Sequence, residues 1–167
     1  MIAIKNAGFE QGLEHWQAVN PDGKAIHLSK KAYAGQQAIS LKRKGAYVAQ
    51  LVSVKPNTSY RLTAQVLGAG TLGAKSGEKL YYEHQKKNKQ WQKTQLEFTT
   101  SDTEKLAIFA SFSGKKGSFD NFHLAQITPL GNAKTTSIIP SSSGGFGLSP
   151  NLPPGKNFDL LDWHLSL

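Results

Sequence analysis

Two basic clusters, each with an aromatic ring beside it, are the residues of this chain best suited to chemistry. In "LKRKGAY", Lys42, Arg43 and Lys44 lead to Tyr47; in "HQKKNKQWQK", Lys86, Lys87, Lys89 and Lys93 surround Trp91. Cations this dense bind carboxylates or phosphates, and a neighbouring ring can stack on the apolar C–H face of a sugar. Gln50, on the same stretch as Tyr47, and Tyr81, Tyr82 and His84, on another, supply further rings and hydrogen-bonding groups. A groove for an acidic saccharide chain needs these types together. The competing readings are a solvated loop for each basic run and core packing for each ring.

The remaining chemistry is sparse. The five histidines show no metal-ligand spacing, and no Ser, His and Asp constellation can be assembled. With no cysteine, disulfides and thiolate metal sites are excluded. "GAGTLGAKSG" lacks the Gly-Lys-Ser/Thr ending of a phosphate loop and reads as a flexible loop. Twenty Lys and Arg against eleven Asp and Glu give a net charge of +9, which favours a polyanionic partner. Single-stranded nucleic acid would be bound by the same groups. No apolar run is long enough to span a membrane, and "MIAIKNAGFE" lacks the charged start and apolar stretch of a signal peptide.

The elements that must hold these residues are strands. "YRLTAQVLG" places Tyr60, Leu62, Ala64 and Val66 on one face and Arg61, Thr63 and Gln65 on the other. "AIHLSKK", "QQAISLK", "AYVAQLVSV", "KLYYEHQ", "TQLEFTT", "KLAIFASFSG" and "SFDNFHLAQI" extend the series, with turn residues between them. The run from Lys105 is apolar on both faces and is expected to lie centrally. No amphipathic helix is found. The expected fold is all-β, an antiparallel two-sheet β-sandwich or barrel over residues 1–128. From 129 to 156 Pro, Ser and Gly predominate, as in a disordered linker, and "NFDLLDWHLSL" at 157–167 alternates like the first strand of a further domain.

"NAGFEQGLEHW" at 6–16, followed by "AYAGQQAISL", "VKPNTSYRLTAQV" and "GSFDNFHL", resembles the carbohydrate-binding modules of the galactose-binding-like jelly-roll class. The terminal "NFDLLDWHLSL" resembles the opening strand of the catalytic domain of β-jelly-roll alginate lyases, which often carry such a module in front. The resemblance implies a jelly roll and a non-catalytic module of a secreted or periplasmic lyase. Its partners would be alginate and its own C-terminal lyase domain, with no nucleic acid or membrane, and it would act as a monomer. The alternative is an extension that has lost sugar binding and helps the lyase domain to fold. The saccharide-binding set would be Lys42, Arg43, Lys44, Tyr47, Gln50, Tyr82, His84 and Trp91. It further implies a structural calcium ion held by Glu10 and Asp120, with carbonyls of the "YAGQ" turn completing the shell.

Overall fold

The computed structural model describes residues 4–128, in which ten strands form two antiparallel five-stranded sheets packed face to face. The strands are β1 (Gln17–Val19), β2 (Ile26–Ser29), β3 (Ala38–Leu41), β4 (Tyr47–Ser53), β5 (Ser59–Gly68), β6 (Gly70–Ser76), β7 (Lys79–Gln85), β8 (Gln92–Thr99), β9 (Lys105–Ser111) and β10 (Gly117–Gln126). The first sheet has the order β1-β4-β9-β6-β7 and the second β2-β3-β10-β5-β8. A single 3-10 turn, Pro21–Gly23, is the only helical element among the described residues. The expected all-β sandwich is the fold of the protein. The expected linker and the terminal strand at 157–167 lie outside the described residues.

Alternation drives the layering. Tyr60, Leu62, Ala64 and Val66 of β5, Leu106, Ile108 and Ala110 of β9, and Phe119 and Leu124 of β10 all point into one core between the sheets. The segment before β1 closes one side of that core. Phe9 stacks on Trp16 with ring centroids 4.9 Å apart, and Trp16 meets Phe122 at 5.1 Å. Asn6 knots the segment together: its Nδ2 donates to the carbonyls of Gly12 and Glu14, its Oδ1 accepts from the Gln11 N–H, and its own carbonyl accepts from Trp16 Nε1. The Asn, Phe and Trp of the opening motif are therefore a tie and two core rings.

One expectation is overturned. The glycine-rich stretch read as a flexible loop contains β6, an interior strand bonded to both β7 and β9 and buried along its whole length. Its glycines mark close approach of rings. A Cβ at Gly70 would stand 2.3 Å from Phe119 Cζ, so the missing side chain is the space the ring occupies. The short edge strand β1 was also not anticipated from the sequence.

Candidate functional site

The outer face of the first sheet carries the richest set of chemistry-bearing groups. Antiparallel register aligns Val19, Tyr47, Ser111, Thr71 and His84 in one row across the sheet, and Ala49, Phe109, Gly73 and Tyr82 in the next. Tyr47, Ala49, Leu80, Tyr82 and Phe109 form a second apolar cluster, with Val19 against it, separate from the sandwich core. Gly73 makes the row possible, since a Cβ there would lie 2.0 Å from Phe109 Cζ. Lys75, in register with Ala107 and Leu80, is a buried cation on the same face.

His84 is the polar centre of this face. Its Nδ1 and the Thr71 hydroxyl are 2.6 Å apart, and the Tyr82 ring lies 5.0 Å from the imidazole. Its Nε2 is buried with no hydrogen-bond partner. Burial pushes the imidazole below its usual pKa, although Glu83 pulls it upward. Burial also raises the Tyr47 phenol well above its ordinary range.

The structure divides the predicted saccharide set. Tyr47, Tyr82 and His84 share the outer face just described. Gln50 does not: three residues after Tyr47 it faces the opposite way, where Oε1 accepts from the Lys5 N–H and Nε2 donates to the Lys5 carbonyl, both at 3.0 Å. It ties down the N-terminal segment. Trp91 also lies elsewhere, beside the second sheet, where it meets Tyr33 edge-on with centroids 6.0 Å apart. Tyr81 points inward, stacks on Phe98 at 5.3 Å and donates to the Thr99 carbonyl.

The cations converge on one end of the sandwich. There β4 and β6 begin, β7 and β9 finish, and the loops 20–25, 42–46, 86–91 and 112–116 meet. These loops expose Lys24, Lys42, Arg43, Lys44, Lys86, Lys87, Lys89, Lys115 and Lys116 against one carboxylate, Asp22. The Tyr47–Ser111–Thr71–His84 row is the one nearest this end. At the other end, the turns 54–58, 77–78 and 100–104 carry Lys55 with Glu78, Asp102 and Glu104. Lys115, Lys116 and Lys24 were missed in the sequence because only strand register brings them beside the other two clusters.

Glu10 and Asp120, the predicted metal ligands, grip the same loop between β2 and β3. A register shift in β10, with Asn121 at φ 57°, separates Asp120 from inward-facing Phe122. Asp120 Oδ2 accepts the N–H groups of Tyr33 and Ala34 at 2.9 and 3.0 Å, and Oδ1 that of Asn121 at 2.8 Å. Glu10 accepts those of Gln36 and Gln37 at 2.9 and 3.2 Å. Gly35, at φ +72°, lets the loop close over Glu10, because a Cβ there would sit 2.5 Å from Oε2.

Asp120 is almost fully buried, which raises its pKa; three N–H bonds lower it, and the charge of Glu10 raises it again. A Cβ on Gly8 would lie 3.5 Å from Asp120 Oδ1 and 3.9 Å from Glu10 Cγ, so the two carboxylates flank one glycine. Each retains acceptor capacity beyond these bonds. Neighbouring carboxylates of this kind fit a hard cation that takes oxygen ligands. Among the described residues no third acidic, His or Cys side chain joins them, so backbone carbonyls would have to complete the shell.

A family model described as "Carbohydrate binding domain" (CBM_4_9) matches residues 3–125. No curated protein sequence matches the chain. Among solved structures, TmCBM61 in complex with β-1,4-galactotriose is 21% identical and covers 76% of this chain and 99% of its own, with a TM-score of 0.64. A structure described as CBM4 is 12% identical, covering 75% and 100%, with a TM-score of 0.58. The CBM22-1 xylan-binding domain of Xyn10C from Paenibacillus barcinonensis is 16% identical, covering 74% and 94%, with a TM-score of 0.54. These likenesses are of fold.

Proposed function

The chain belongs to the carbohydrate binding domain family, and from that premise we propose that it is a non-catalytic module that holds a polysaccharide lyase on alginate. The observation that carries the acidic choice is the crowding of nine cations against one carboxylate at the end of the sandwich nearest the Tyr47 and His84 row. A neutral ligand, such as the galactotriose bound by TmCBM61, has no use for such a pole. A uronate chain offers one carboxylate per sugar to the lysines and apolar ring faces to the aromatic side chains. Tethering of this kind raises the substrate concentration at a linked catalytic domain without adding any contact to the reaction itself. A module with this role belongs outside the cytoplasm, secreted or periplasmic, where the polymer is.

Calcium fits the same reading as a structural ion. Glu10 and Asp120 would hold it, and it would supply charge neutralisation beneath the loop between β2 and β3.

Electrophoresis through gels containing alginate or a neutral glucan tests the proposal. The protein should be retarded by alginate alone, and retardation should fall steeply with salt, because exposed charges are screened over about 8 Å at physiological ionic strength. Lys42→Glu, Arg43→Glu and Lys44→Glu together should flatten that salt dependence. Equal retardation in both gels, indifferent to salt, would mean that the basic end does not select the ligand.

A further inference from the structure

We propose a second saccharide site, formed by Tyr33 and Trp91 on the second sheet, separate from the outer face of the first sheet. The proposal rests on the reading of the chain as a carbohydrate-binding module and adds to it a further surface and its ligand class, a pyranose chain bearing carboxylates.

Trp91 precedes β8. Gln92 is in register with Val66, which points into the core, so the alternation turns Trp91 and Lys93 outward. Most groups that share this outer side are polar, among them Ser40, Ser118, Thr63, Gln65 and Gln95, and the half-buried Leu67, in register with Ser118, adds an apolar side chain beside Trp91. Tyr33 is 48% exposed, among the most exposed large apolar side chains of the described residues. Neither ring belongs to either buried apolar cluster. They meet at an interplanar angle of 67°, an aromatic corner in which one ring can carry the flat face of a sugar while the other lines its edge.

Both loops that present the corner are fixed before any ligand arrives. Four amides of one loop, those of Tyr33, Ala34, Gln36 and Gln37, are bonded to Asp120 and Glu10. The Trp91 loop is clamped by two bonds between Asn88 and Gly68, at 3.0 and 3.2 Å, and by the Gln90 N–H on Asn88 Oδ1 at 2.8 Å. Rings held this way lose little freedom on binding, which is the property a stacking platform needs. Lys93, and Lys30 and Lys31 just before Tyr33, are exposed cations suited to uronate carboxylates, and Gln65 is in register with Lys93. With sites on both sheets, one module could engage two chains or two segments of one chain.

The test is titration of the full isotope-labelled chain, followed by amide and indole N–H resonances, with a mannuronate oligomer and, separately, β-1,4-galactotriose. The Trp91 indole and the amides of Tyr33 to Gln37 should shift saturably, with an affinity independent of shifts around Thr71 and Tyr82. Tyr33→Ala and Trp91→Ala should each weaken the first response by about fivefold to tenfold and leave the second in place. Retained peak dispersion in the Tyr33→Ala spectrum, a change on an exposed loop, guards against misfolding as the cause. Shifts confined to the first sheet would overturn the second site and leave the proposed function standing. Shifts confined to Tyr33 and Trp91 would support it while removing the ligand from the first sheet. Silence with both probes would overturn the site and the reading on which it rests.

Discussion

On the outer side of the second sheet, Ser40 and Ser118 share a hydrogen bond at 2.8 Å, and Arg61 meets Glu97 at 2.7 Å. On the outer side of the first sheet, Tyr47, Ala49, Leu80, Tyr82 and Phe109 pack together, with Lys75, Thr71 and His84 among them. The inner faces are built alike, because each must bury one side of every strand. Nothing in sandwich assembly demands a second apolar face, and an ordinary solvated sheet alternates as β5 does. A second buried apolar cluster on one sheet is therefore the feature that needs an explanation beyond the packing of the two sheets on each other. The second sheet shows the reverse, a mainly polar exterior on which Leu67 and the Tyr33–Trp91 pair supply large apolar side chains.

The comparison breaks first at Phe109. If the outer cluster is packed like a core, Phe109→Ala should cost about 3–5 kcal/mol of stability, the range for deleting a buried aromatic ring. Gln95→Ala, at an exposed position on the outer side of the other sheet, should stay within about 0.5 kcal/mol of the parent. Urea unfolding of both variants measures the contrast directly. Equal midpoints would show that the two exteriors are energetically alike.

A smaller effect is expected at Asp120, the buried charge of the second sheet. Asp120→Asn replaces one acceptor oxygen by a donor, leaving at least one of the Tyr33, Ala34 and Asn121 amides without a partner, at a cost of about 1–3 kcal/mol. Because the folded carboxyl is raised above its unfolded value, its contribution is fully present below the unfolded pKa and declines as pH rises through the folded one. If Glu10 and Asp120 hold calcium as proposed, the ion binds the ionised form, so stabilisation by it should grow over that same rise, in the parent and not in the variant. Melting curves with calcium and with chelator across this range would show it. An unchanged melting temperature in an ion-loaded parent would dismiss the ion.

Much of this was legible in the sequence, and what was not has physical causes. β7 runs from Lys79 to Gln85 as its alternation predicts, and the central place of β9 follows from its two apolar faces. β6 was hidden because Gly70 and Gly73 look like loop residues, whereas the Phe119 and Phe109 rings that fill their space come from distant strands. Period-two alternation already puts Tyr47 and Gln50, three residues apart, on opposite faces. No periodicity reveals that the chain crosses between sheets from β7 to β8, and that crossing is what removes Trp91 from Tyr82. Tyr33 carried no signal beyond membership of a turn.

The smallest expected effect is at His84, and it sharpens the contrast between the two exteriors. Its Nδ1 is engaged with Thr71 and its Nε2 is buried without a partner, so a proton added there would bring a charge into a site with no acceptor among the described residues. Burial accordingly holds the folded pKa below the unfolded value of about 6.5. Below that value the unfolded chain takes up a proton that the folded chain refuses, so this group's contribution weakens as pH falls from the unfolded toward the folded pKa and then levels off. His84→Ala removes the group from both states. The stability difference between parent and variant, measured by urea unfolding at pH 7.5 and 5.5, should therefore shift against the parent at the lower pH. A shift in the parent's favour would mean that the imidazolium is welcomed on this face, which would transfer the first sheet's exterior from apolar packing to charge recognition.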